Sequence, residues 1–284
     1  MNIKILRTIA DVKNYIQIIR RQGKTIGLVP TMGALHEGHL ALMRTAKQKC
    51  DIVIASIFVN PIQFGPNEDF TTYPRVFESD CVKLESERVD AVFHPEPAEM
   101  YPQGFTTYVM VDGTKTDKLC GASRPGHFRG VATVVTKLIH ITEADQVFFG
   151  QKDAQQVVVI KQFVQDLNMN VEIQMVPIVR DQGGLALSSR NAYLSDIEKK
   201  AAYILSASLK KTENLYLAGE KNVEALKKLT LASIMSEPLA EIDYVELYSF
   251  PTLGHIEIVD QPVLLAVAVQ FGKTRLIDNI VFGG

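Results

Sequence analysis

Through the first two-thirds of this chain, short and nearly unbroken apolar runs take turns with amphipathic segments. No other feature limits the possible folds as much. Thr8 opens a Thr-x-x-Asp box that ends at Asp11. Ile9, Val12, Ile16 and Ile19 then recur at helical spacing, and Gly23 ends the helix. A buried strand is predicted over 25–29, a helix over 39–49, and a second strand over 52–59 broken by no polar residue except Ser56. A helix over 77–88, strands over 91–93 and 108–111, a helix over 131–141, a strand over 146–149, a helix over 153–167 and a strand over 171–176 complete the series. Near-continuous apolar strands alternating with helices predict an α/β protein whose parallel sheet is covered on both faces. In such sheets ligands lie beyond the carboxyl ends of the strands. The chemistry is therefore expected just after Val29, Val59, Phe149 and Val176.

After Asp181 the pattern changes, which predicts a large domain over 1–180 and a smaller α+β domain over 181–284. Gln182-Gly183-Gly184 forms a joint, and Ser195-Asp196-Ile197-Glu198 is a capping box opening a long helix that Gly219 ends. A helix over 223–235 precedes strands over 244–247, 263–269 and 275–279, the last two joined through Gly272-Lys273. Thirty basic against thirty-two acidic residues give a formal charge of −2, so no global basic field is present to hold a nucleic acid. Cys50, Cys81 and Cys120 are too far apart for a CxxC pair or a disulfide framework, which points to a reducing compartment. The amino terminus lacks a continuous apolar core, and the longest apolar runs fall short of the ~20 residues that span a bilayer. These features predict a cytoplasmic protein with no membrane partner.

Four strand ends carry the candidate chemistry. After the first come Met32, Gly33, Ala34, Leu35, His36, Glu37, Gly38 and His39, running into a helix. The glycines let the backbone approach a ligand, and the helix start offers free N–H groups to an anion. His36 and His39 share one side of a turn and can hold a phosphate while charge develops on it. Zinc is the competing reading, but the spacing is wrong for His-Glu-x-x-His and no third ligand is near; plain structural histidines are another. After the second strand, Asn60 and Gln63 are neutral donors and acceptors suited to a hydroxylated carboxylic acid, or else parts of an Asx-type turn. The third end is Gly150, Gln151, Lys152 and Asp153, with Gln156 on the helix that follows; it offers a phosphate point charge and a ribose acceptor, or simply a solvated helix start. The fourth, Leu187, Ser188, Ser189, Arg190 and Asn191, matches a polyphosphate or a polar helix entry. Arg124-Pro125-Gly126-His127-Phe128 suits either an anion contact or a helix cap.

Taken together, these motifs resemble the pantoate–β-alanine ligase (pantothenate synthetase) family over nearly the whole chain. The resemblance rests on 29–33, on Phe58-Val59-Asn60-Pro61, on the Arg124 loop and on 187–191. His-x-Gly-His alone is shared with other nucleotidyltransferases and class I aminoacyl-tRNA synthetases. The resemblance implies a Rossmann-type nucleotide-binding domain, a smaller carboxy-terminal domain, a homodimer, and ATP with Mg²⁺ as cosubstrate. It implies that Met32 through His39 line the ATP site, with His39 and His36 catalytic, and that Gly150–Asp153 and 187–190 make further ATP contacts. Val179 matches a backbone contact to adenine, Gln63 and Gln156 match pantoate ligands, and Gln63 also lies near β-alanine. Gly183 departs from the Asp-Gly that many members carry there. A nucleotidyltransferase acting on a phosphate acceptor would need cationic groups near Asn60 and Gln63, and none is present. An RNA-binding relative would need a basic or aromatic stripe, for which a chain without Trp and with near-neutral charge gives little support.

Overall fold

The structure, a computed structural model, describes residues 3–66 and 68–283. The chain begins with β1 (Lys4–Leu6), α1 (Ile9–Arg21), β2 (Ile26–Thr31), α2 (Glu37–Lys49) and β3 (Ile52–Ile57). Next come α3 (Phe77–Ser86), β4 (Ala91–Phe93) and the one-turn helices α4 (Pro97–Met100) and α5 (Cys120–Ser123). Then follow α6 (His127–Thr142), β5 (Gln146–Gly150), α7 (Ala154–Asp166) and β6 (Glu172–Val176). The remainder is α8 (Asp196–Ala202), α9 (Ile204–Leu217), α10 (Val223–Met235), β7 (Glu241–Ser249), β8 (Val263–Phe271) and β9 (Thr274–Phe282). The boxes at Thr8 and Ser195 form as the sequence predicts, each side chain accepting from the backbone three residues on.

Six strands make a parallel sheet in the order β1-β4-β3-β2-β5-β6, and three make an antiparallel sheet in the order β7-β8-β9. Every residue of β3 is buried, as its unbroken apolar run requires. From β2 the chain builds outward through β3 and β4, then crosses to the other side of β2 to lay down β5. The order therefore reverses between β2 and β5, the switch point at which such sheets form their crevice. The register widens that crevice. Strand β2 pairs with β3 from Ile26↔Ile52 through Thr31↔Ile57, but with β5 only at Gly27↔Gln146 and Leu28↔Val147. Beyond those pairs the two strands no longer pair toward their carboxyl ends.

The second apolar core lies between the antiparallel sheet and α8–α10, with Leu205, Leu226, Ile234, Val267 and Phe271 fully buried. Two sets of bonds tie the small sheet to the large one. Arg180 pairs with Asp278 of β9 through both guanidinium nitrogens, at 2.6 and 2.9 Å, and also donates to the Gly184 carbonyl. Asn279 donates its amide to the carbonyls of Gln151 and Lys152 at 3.0 and 2.9 Å.

Three expectations need correction. Residues 108–111 form no strand: the segment runs along α6, where the Val109 N–H donates to Thr133 at 3.0 Å, and among the described residues no strand lies beside it. Strand β1, which no sequence signal marked, occupies the sheet edge against β4 instead. The long helix predicted from Ser195 to Gly219 breaks at Tyr203 into α8 and α9. The Tyr203 ring lies over the joint, and a Cβ added at Gly183 would fall 2.1 Å from one of its carbons. Glycine at this position therefore makes room for the tyrosine.

Candidate active site

Beyond β2 the backbone turns sharply. Gly33 takes φ +82°, and Ala34, a residue with a Cβ, takes φ 49°. Left-handed backbone at a non-glycine residue is costly and needs support. Asp80 of α3 supplies it: one carboxylate oxygen accepts the Ala34 N–H and the other the Leu35 N–H, both at 2.8 Å. Lys83, one turn further along α3, donates to the Leu35 carbonyl at 2.6 Å.

That turn delivers the two histidines. His36 is the N-cap of α2, its Nδ1 accepting the Gly38 N–H at 3.2 Å, while Nδ1 of His39 accepts the His36 N–H at 3.3 Å. The ring centroids are 4.0 Å apart. Gly38 is required by this arrangement, because a Cβ there would lie 2.9 Å from the His36 ring. Since both Nδ1 atoms accept, each neutral ring carries its proton on Nε2. Burial, then the charge of Lys152, brings His36 down to about 4. Burial, then His36, holds His39 well below the ordinary imidazole value. At neutral pH the pair is two uncharged donors.

Gln63 stands opposite. Its Oε1 accepts from Asn60 at 2.9 Å, and its Nε2 donates to the Met32 sulfur at 3.2 Å. Asn60, also among the residues lining the cleft, is only 1% exposed and makes three bonds to protein groups. It donates also to the Gly130 carbonyl and accepts from the Tyr101 hydroxyl at 2.8 Å. Its place is behind Gln63. In the Arg124 loop, Gly126 caps α6 in the left-handed conformation, Arg124 grips Glu68 through two bonds of 2.7 and 2.6 Å, and Arg124 and His127 also line the cleft. His127, brought down to about 4 by burial and then by Arg124, bonds the Gln63 carbonyl at 2.9 Å.

Segment 187–193 straps across the mouth. Ser189 donates to the Ala34 carbonyl at 3.1 Å, Tyr193 to the Thr72 carbonyl at 3.3 Å, and the Leu187 N–H to the Val179 carbonyl at 2.9 Å. Ser188 accepts from the Arg190 N–H. Arg190, expected to contact phosphate, is held here by Asp69 through bonds of 3.0 and 2.8 Å.

Most of the candidate residues meet in one cleft of about 220 Å³ at the switch point. His36, Gly38, His39 and Met32 form one wall, and Gly150, Lys152, Asp153 and Gln156 another. Val179 and residues 187–190 close a third side. Gly33 and Ala34 shape the turn without lining the cleft. Leu35 is 2% exposed in the core, Glu37 pairs with Arg44 on the surface, and Gln151 reaches toward Asn279. The sequence reading missed Asp80 and Lys83. It also missed an apolar wall from Phe58, Phe64, Tyr73 and the α6 residues Val131, Val134, Val135 and Leu138. The helical spacing of the α6 residues is visible, but in sequence it reads only as core.

The fold and cleft define a Rossmann-type α/β enzyme of the nucleotide-binding class. Within that class, the chain belongs to the pantoate–β-alanine ligase family, whose model matches residues 4–281. It is 53% identical over 279 residues to the pantothenate synthetase of Pelotomaculum thermopropionicum, covering 98% of this chain and 99% of that protein. It is 56% identical over 273 residues to that of Carboxydothermus hydrogenoformans, covering 96% of each. Among solved structures, pantothenate synthetase from Thermus thermophilus superposes with a TM-score of 0.93 at 40% identity, covering 98% of this chain and 99% of that one. A pantoate–β-alanine ligase from Francisella tularensis, complexed with β,γ-ATP and β-alanine, gives 0.78 at 35% identity, covering 98% and 97%.

Proposed function

We propose that this chain condenses pantoate with β-alanine, driven by ATP, through a pantoyl-adenylate. A pantoate carboxylate oxygen attacks the α-phosphorus, the α–β bridge breaks, and diphosphate leaves. The β-alanine amine then attacks the activated carbonyl, loses a proton and expels AMP. The observation that carries this reading is the pair of neutral imidazoles at the α2 amino end, in one cleft with Lys152 and with the uncharged amides of Gln63 and Gln156.

Neutral amides suit the hydroxyls and carboxylate of pantoate, which they orient without trapping its charge. Gln63 also faces the approach of β-alanine, and Asn60 holds Gln63 in place. The Nε2–H groups of His39 and His36 donate to the α-phosphate, where charge grows as diphosphate departs. Lys152 opposes the same charge, and the turn at Gly150–Asp153 and the backbone at Val179 seat the nucleoside. Residues 187–190 close on the phosphates, with Arg190 exchanging Asp69 for phosphate oxygens. Alignment and charge stabilisation suffice, with no covalent enzyme intermediate.

Mg²⁺ enters on the nucleotide. Among the described residues, no three His, Cys, Asp or Glu side chains gather as metal ligands. The nearby carboxylates Asp69 and Asp153 face Arg190 and Lys152, a donor set that fits a cation carried mainly by phosphates and water. When bound, the ion offsets phosphate charge. We further infer that 1–180 and 181–284 are the two domains, that the enzyme is a homodimer, and that it works in the cytoplasm. Among the described residues, no helix is long and apolar enough to cross a membrane.

The test is AMP formation that requires both pantoate and β-alanine, run with ¹⁸O in the pantoate carboxylate. One label should pass to AMP, because that oxygen becomes the bridge to the α-phosphorus. Label in inorganic phosphate would mean an acyl-phosphate route and end this reading.

A further inference from the structure

Asp80 is a carboxylate with no exposed surface, and both of its oxygens are spent on consecutive backbone N–H groups of the turn at residues 34 and 35. The fit leaves no slack. A Cβ added at Gly33 would stand 3.0 Å from one Asp80 oxygen and 3.1 Å from Ile57. Lys83 then fixes the other side of the Leu35 peptide through its carbonyl. The next N–H along the chain is that of His36, which donates to Nδ1 of His39. A series of bonds thus runs from one face of α3 to the His36 N–H that fixes the proton of His39 on Nε2, and the same turn leads into the Gly38 N–H that does so for His36. We propose that Asp80 and Lys83 are positioning residues for the His36/His39 pair, holding the turn in the left-handed geometry that keeps both rings as Nε2–H donors. This rests on the function proposed above for those donors.

The chemistry favours a carboxylate over any neutral side chain here. Two adjacent N–H groups aimed at one point need two acceptors, and Asn would turn an NH₂ toward one of them. Hydrogen bonds to an ionised acceptor are also shorter and about twice as strong as neutral ones. Burial pushes the Asp80 carboxyl upward, and the two N–H bonds and the charges of Lys83 and His94 oppose that shift. The turn it supports contains Ala34, which does not favour that backbone region unaided.

The experiment uses the full chain and compares Asp80→Asn, Lys83→Met and His39→Ala with the parent. Asp80→Asn should lower kcat about 10²-fold, as a small misplacement of a reacting group does, with KM for pantoate within about twofold because Gln63 and Gln156 are untouched. Long-range ¹H–¹⁵N spectra of the imidazoles should show His36 and His39 as pure Nε2–H tautomers in the parent and as tautomer mixtures in Asp80→Asn. Lys83→Met should show a weaker version of both changes, and it keeps the test open if Asp80→Asn does not fold. Parent-like tautomers together with parent-like kcat in a folded variant would overturn the inference. Activity retained in His39→Ala would overturn the proposed catalysis instead, and the tautomer spectra would still decide the positioning role.

Discussion

The Arg180–Asp278 pair gives the most demanding prediction. The Asp278 side chain is 1% exposed, and its carboxylate accepts from both Arg180 nitrogens and from the Asn279 N–H at 2.7 Å. Arg180→Met leaves that charge buried with only the Asn279 bond. Removing one member of such a pair costs about 3–5 kcal/mol. Replacing both members, in Arg180→Met/Asp278→Leu, should recover most of the loss, because no buried charge then remains. The pH dependence has a definite sign. Burial already holds the Asp278 carboxyl above its ordinary 3.8, against the pull of Arg180. The folded state therefore takes up a proton more readily than the unfolded one, and stability falls as pH rises through the interval between those values. Without Arg180 the folded value climbs further, so the loss should be smaller near pH 5 than near pH 8. Urea unfolding of parent, both single variants and the double variant at the two pH values measures this, followed by circular dichroism because the chain has no Trp. A loss under about 1 kcal/mol in Arg180→Met, an equal loss at both pH values, or a double variant no better than the single would refute the reasoning.

Four further outcomes are expected. His36, held down to about 4, should stay neutral through the physiological range. Since the unfolded imidazole takes its proton near 6.5, the stability this group contributes should fade as pH drops from there toward about 4, and an imidazole NMR titration showing a midpoint above 6 would contradict it. Gln156→Ala should raise KM for pantoate, each lost neutral bond costing roughly 0.5–1.5 kcal/mol. Arg190→Ala should slow adenylate formation yet process pre-formed pantoyl-adenylate normally, and single-turnover assays of the two half-reactions distinguish these effects. Gly183→Ala should cost about 1–3 kcal/mol through overlap with Tyr203, and almost nothing when introduced into Tyr203→Ala; an equal cost in both backgrounds would show that the ring is not the obstacle.

Alternating runs and capping boxes were enough to place most strands and helices, because both are local signals. β1 exposes Lys4 and Ile5 and buries only Leu6, so no apolar run marks it, and it is a strand because β4 lies beside it. Residues 108–111 have the composition of a strand and lack a neighbour, which no local pattern reveals. In the cleft, the glycine-flanked histidines and the residues after β5 could be read because each motif is contiguous. That Arg190 is held by Asp69 is not legible in the sequence, because the two lie 121 residues apart. Asp80 escaped notice for the same reason: a single acid in a helix looks like solvated surface until the turn of another strand is folded against it. The sequence does not show that Asn60 also bonds the Gly130 carbonyl and the Tyr101 hydroxyl, because both partners lie far along the chain.

The short register between β2 and β5 means that the centre of the large sheet is also its least paired line. Only Gly27↔Gln146 and Leu28↔Val147 are in register across it, so the facing edges beyond them are not latched to each other as those of β2 and β3 are. Local opening is governed by how many bonds must break together, and a ligand that binds only the closed form raises that threshold by RT ln(1 + [L]/Kd). Amide hydrogens along this seam therefore act as a gauge of occupancy: their exchange slows in proportion to how fully the crevice is filled. A nucleotide analogue that cannot react registers there as clearly as a true substrate, at residues no assay of turnover reaches.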